Sequence, residues 1–84
     1  MVEAEVLEER IRQGVGDVSH LVVRDLTGTK DHWEALVVSK TFSGKTPIEQ
    51  HQMVYAALGD LMTGPVHALA LKTYSPESWA KQQG

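Results

Sequence analysis

Residues 42–79, FSGKTPIEQHQMVYAALGDLMTGPVHALALKTYSPESW, decide the fold. Within them, Thr46-Pro47-Ile48-Glu49 marks a helix start: threonine accepts from the N3 amide, proline is preorganised at N1, and glutamate at N3 reaches back to close a capping box. Ile48, His51, Val54, Tyr55, Leu58, Leu61 and Met62 then recur at helical spacing. They predict a helix to about Met62, stopped by Gly64-Pro65. The run from Val66 to Tyr74, VHALALKTY, alternates as a strand. Val66, Ala68, Ala70 and Lys72 take one side, and His67, Leu69, Leu71 and Thr73 the other. Ser75-Pro76-Glu77 opens a last short helix carrying Trp79, with Lys81 to Gly84 fraying.

Toward the N-terminus, Ala4, Leu7, Ile11 and Val15 at spacings of three and four predict an amphipathic helix over 3–15. Its acids precede its arginines, the order the helix macrodipole favours, and Gly14 and Gly16 are read as its end. VSHLVVRDL from Val18 and HWEALVVSK from His32 are rich in β-branched residues and flank the turn Thr27-Gly28-Thr29-Lys30-Asp31. They predict two antiparallel strands. The continuous apolar run Ala35-Leu36-Val37-Val38 makes the second one central.

The order is therefore α-β-β-α-β-α. A strand–helix–strand crossover is right-handed, which sets the third strand parallel to the second. The expectation is an α+β domain over 1–84, a three-stranded mixed sheet with helices packed on one face.

Composition narrows the function classes. The chain has 84 residues, a net charge of −3 and no cysteine. A disulfide framework, a self-contained zinc finger and a thiol nucleophile are thereby excluded. Histidine is the one strong soft-metal ligand left, at His20, His32, His51 and His67. No apolar run reaches the roughly 20 residues that span a bilayer, and the acidic start MVEAEVLEER has no signal-peptide pattern, so the expected setting is cytoplasmic. Net acidity disfavours a strong grip on a polyanion. A local basic face around Lys30, Lys40, Lys45 and Lys72 is the one footprint for it. The serines and aspartates show no spacing that suggests a catalytic triad, an acid–base pair or a hard-metal loop, so an enzyme is the least supported class.

The segments VVSKTFSGKTPIEQHQMVYAAL and VHALALKTYSPESW, with the strand start DHWEALVVS, resemble the BolA-like family in register over about the last two-thirds of the chain. One departure is Gln50, which stands where the family often has arginine before the helix histidine. The resemblance implies a fold similar to the type II KH domain, without the G-x-x-G loop that brings KH domains to a nucleic-acid backbone. It also implies a non-enzymatic adaptor that partners a monothiol glutaredoxin and shares a bridging [2Fe–2S] cluster with it and with glutathione, in iron–sulfur trafficking or iron sensing. His67 matches the family's signature histidine, so it carries the metal-ligand role by resemblance. From position alone it reads rather as a strand-end histidine bonded to a loop carbonyl. The family's second ligand comes from the loop between the first two strands, where His32 is the candidate.

His51 is read as a packed helix residue and His20 as a sheet-face residue. Two other classes stay open: a transcription regulator that binds DNA, and a metal-independent protein–protein module. Lys45, Lys72, Tyr74 and Trp79 are the candidate contacts to a partner or nucleic acid, and homodimerisation of the apo chain is a further possibility.

Overall fold

The computed structural model describes residues 3–26, 28, 32–63 and 68–83. Helix α1 spans Ala4–Val15, and Leu7, Ile11 and Val15 form its buried stripe. Gly16, at φ 79°, ends it by donating its N–H to the Arg12 carbonyl. Gly14 does not end the helix: it sits inside α1, where a Cβ would lie 2.3 Å from the Ala57 Cβ. Glycine is needed there for close helix–helix approach, which sequence alone does not separate from a stop signal.

Strands β1 (Val18–Asp25) and β2 (His32–Ser39) pair antiparallel, and β2 pairs parallel with β3 (Ala68–Tyr74), giving the order β1-β2-β3. The register lines up whole rows across the sheet. Leu21, Val37 and Thr73 form one row, Val23, Ala35 and Leu71 the next, then Asp25, Trp33 and Leu69. These rows face α1 and α2, where Trp33, Val37 and Phe42 join Leu7, Ile11, Val54 and Leu58 in one core. The predicted α+β class and mixed three-stranded sheet are the observed ones, but the helices do not all pack on one face: α1 and α2 share one, and the last helix lies against the other through Trp79, which stacks on His20.

A 3₁₀ turn, Lys40–Phe42, follows β2 and buries Phe42 completely. It is pinned to the α1–β1 corner, because the Ser39 hydroxyl donates to the Gly16 carbonyl at 2.6 Å and the Thr41 hydroxyl to the same oxygen at 3.3 Å.

Helix α2 spans Pro47–Leu58 and carries the predicted capping box: Glu49 N–H donates to the Thr46 hydroxyl at 3.2 Å, and Thr46 N–H donates to the Glu49 carboxylate at 2.9 Å. The α-helix ends at Leu58 rather than near Met62. Gly59 takes φ 54°, and a 3₁₀ turn over Gly59–Thr63 carries Leu61 into the core. The buried stripe also differs from the predicted one. Gln50, Val54 and Leu58 face inward at i, i+4 and i+8, whereas Ile48 is 71% exposed and Tyr55 39% exposed. The cap sets the rotation of the helix, and a fully bonded glutamine amide occupies a place that pattern reading assigns to an apolar side chain.

Helix α3 spans Pro76–Gln83, so the chain stays helical beyond Lys81. Ser75 caps it by accepting from Ser78 N–H at 3.2 Å, and the Ser78 hydroxyl accepts in return from Ser75 N–H at 3.0 Å.

Candidate functional site

The alternation that turns Leu21, Val37 and Leu71 toward the helices turns a second set of rows away from them. His20, Val38 and Tyr74 form the first such row; Val22, Leu36 and Lys72 the second; Arg24, Glu34 and Ala70 the third; and His32 with Ala68 the last. One end of this face is covered by α3. Its Trp79 ring stacks on His20 with centroids 5.1 Å apart and lies tilted against Tyr74 at 5.4 Å, leaving Val38 fully buried beneath. Tyr74 and Trp79 thus spend part of their surface on each other.

His32 stands at the opposite end of the face. Its backbone carbonyl accepts from Leu26 N–H at 2.9 Å, and the next residue, Trp33, is buried in the core, so the start of β2 is anchored on both sides. The His32 side chain is exposed and has no hydrogen bond or ring contact among the described residues. Its Cα partner in β3 is Ala68. His67, which carries the sequence-based ligand assignment, precedes Ala68 in the chain and lies outside the described residues, as do Lys30 and the Gly64-Pro65 stop. Among the described residues no three His, Cys, Asp or Glu side chains gather as a metal-ligand set.

The other candidates are dispersed. His51 is half-buried on α2 with its ring edge-on to Tyr55 at 6.4 Å. Lys40, Lys45 and Lys72 do not form one cationic patch. Lys45 lies beside Glu49, whose carboxyl is held below its ordinary value by the Thr46 backbone N–H, then the Thr46 hydroxyl and Lys45 itself. Lys40 lies beside Glu77. That carboxyl is likewise lowered, by its own backbone N–H first, then by the Ser75 and Ser43 hydroxyls and Lys40. Lys72 is on the far side of the sheet, in the row of Val22 and Leu36.

Two residues escaped the sequence reading. Gln50 is buried and makes three bonds: its amide donates to the Phe42 carbonyl at 3.3 Å and the Lys45 carbonyl at 3.0 Å, and its oxygen accepts from the Thr73 hydroxyl at 2.7 Å. It ties the F-S-G-K loop to β3. His20 gained its partner only through the register that sets it beside Val38 and Tyr74, a long-range fact that strand alternation cannot supply.

Fold and site together define a class: a small α+β domain with one sheet face covered by two helices and, among the described residues, the other largely open with an exposed histidine at its far end. The family description "BolA-like protein" matches residues 6–78. The chain belongs to the BolA-like family. It is 40% identical over 75 residues to BolA-like protein 1 of Bos taurus, covering 89% of this chain and 50% of that one, so it spans about half the length of that curated relative. It is 32% identical over 85 residues to the DNA-binding transcriptional regulator BolA of Escherichia coli (strain K12), covering 94% of this chain and 81% of the relative. Among solved structures, a bolA protein homologue from Coxiella burnetii superposes with a TM-score of 0.80 at 34% identity, covering 95% of this chain and 99% of that one. None of these names is that of an enzyme, and no helix among the described residues is long and apolar enough to cross a membrane.

Proposed function

We propose that this chain is a non-enzymatic, cytoplasmic adaptor that partners a monothiol glutaredoxin and supplies histidine ligands to a [2Fe–2S] cluster shared with it, in iron–sulfur cluster trafficking or iron sensing. The observation that carries this reading is the exposed imidazole of His32, which has no hydrogen bond or ring contact among the described residues and stands opposite Ala68, the residue that follows His67 in the chain.

The donor set fits such a group. Imidazole replaces thiolate on one iron of Rieske-type [2Fe–2S] centres and raises their potential. The chain has no cysteine, and its described residues offer no complete ligand set, so thiolates for the remaining positions would come from the glutaredoxin cysteine and glutathione. His67 and His32 would hold the cluster from this side. The chain's own contribution is positional. Trp33 in the core and the Leu26–His32 backbone bond fix the start of β2, which sets the direction in which the His32 ring leaves the sheet.

Anaerobic co-purification with a monothiol glutaredoxin tests the reading. The wild-type complex should show a Rieske-like visible spectrum that His67→Ala abolishes and His32→Ala alters. A spectrum identical in wild type and His67→Ala would refute it.

A second reading, a DNA-binding regulator, is favoured by the name of the Escherichia coli relative. Against it stand the net charge of −3 and the placing of Lys45 and Lys40 beside Glu49 and Glu77. Duplex binding across a salt series discriminates, because phosphate contacts give a steep slope of log K against log salt.

A further inference from the structure

Among the described residues, the second face of the sheet is covered only where Trp79 lies over His20 and Tyr74. Beyond that cap, Val22 and Leu36 floor a shallow depression of about 250 Å³ bordered by Arg24, Glu34 and Lys72, and exposed Ala70 continues the apolar surface in the next row. Val22, in its middle, is 36% exposed. Open faces of antiparallel sheets are ordinarily polar, so aliphatic side chains across two neighbouring rows need a reason.

The charges on this face are not balanced. Glu34 is engaged by Arg24 at 2.8 Å directly across the strand pair. Lys72 has no carboxylate partner among the described residues, although it rises from the apolar floor beside Leu36. An unpaired ammonium on aliphatic ground is complementary to a carboxylate set among aliphatic side chains.

The floor also runs on to His32. Leu36, the row partner of Lys72, is four residues along β2 from His32 and on the same side, a span of about 13 Å. A protein seated on the floor therefore reaches the exposed imidazole, and the α3 cap closes the other end.

We infer that the open sheet face is the docking surface for the partner protein, with the Val22–Leu36–Ala70 floor receiving aliphatic side chains and Lys72 receiving a carboxylate that the partner presents beside them. This rests on the reading of the chain as a glutaredoxin partner. It adds where the partner sits and what chemistry it brings, and it locates recognition on residues that hold no metal. Docking through this face does not need the cluster, so it is measurable with apo proteins.

Isothermal titration of apo monothiol glutaredoxin into the full chain is the test. Lys72→Glu and Val22→Glu should each weaken binding about ten-fold or more, with unchanged thermal unfolding, and Lys72→Arg should bind like wild type. Arg12→Glu, the same charge reversal on the helix layer, should change affinity less than two-fold. Wild-type affinity in both Lys72→Glu and Val22→Glu would overturn the docking surface while leaving the adaptor reading intact. Failure of the wild-type chain itself to bind, apo or cluster-loaded, would overturn both.

Discussion

Gly14 shows how a single hydrogen atom sets a helix crossing. Its position against Ala57 leaves no room for a Cβ, and the neighbouring atoms are the Ala57 Cβ and Cα rather than a flexible side-chain end. Alanine ordinarily gains about 0.5–1 kcal/mol over glycine in a helix, but overpacking at a rigid contact costs about 1–3 kcal/mol. Gly14→Ala should therefore destabilise the fold by about 1–2 kcal/mol in urea unfolding. Gln50 is the polar counterpart. Replacing it with leucine strands the Lys45 carbonyl and the Thr73 hydroxyl, while the Phe42 carbonyl keeps its bond from the Lys45 N–H, and each buried group left unsatisfied costs about 1–3 kcal/mol. Gln50→Leu should lower the urea midpoint well below that of Gln52→Leu, at an exposed position on the same helix. Neither role was legible in sequence. A glycine near a helix end reads as a stop, and a glutamine between a glutamate and a histidine reads as surface, until the packing partner on a distant element is known.

At the level of elements, the local signals were the most readable. The Thr46-Pro47-Ile48-Glu49 box formed as its residues dictate, because every partner lies within four positions. Thr46→Ala should cost about 1 kcal/mol. The carboxyls of Glu49 and Glu77 titrate below their ordinary 4.5 because the folded chain bonds their charged forms. A depressed folded-state pKa gives stability that is full above the unfolded value and is lost as pH falls through the folded one. The urea midpoint should accordingly fall as pH drops below about 4.5, and a Glu49→Gln, Glu77→Gln chain should lose less over that fall. The far end of α2 was less legible. Apolar periodicity continues through Leu61, but Gly59 breaks the α geometry and a 3₁₀ turn buries Leu61 instead. Periodicity reports burial, which both helix types achieve. The same limit applies to α3, whose attachment depends on Trp79 meeting His20 across the sheet.

For the molecule as a whole, the central place of β2 and the parallel pairing of β3 with it followed from element order, so the mixed sheet was readable from the sequence. The distribution of function over its two faces was not. Sequence pointed to four histidines, and register sorted the described ones: His20 stacked under α3, His51 on the helix layer, His32 unengaged at the open end of the sheet. The central claim is that histidine nitrogen from this chain ligates a cluster held jointly with a glutaredoxin. Electron spin-echo envelope spectroscopy of the reduced complex, with only this chain's histidines labelled with ¹⁵N, tests it most directly. The expected result is nitrogen couplings to the cluster that change from ¹⁴N to ¹⁵N character on labelling and vanish in His67→Ala. Couplings that are absent, or that ignore the label, would contradict it.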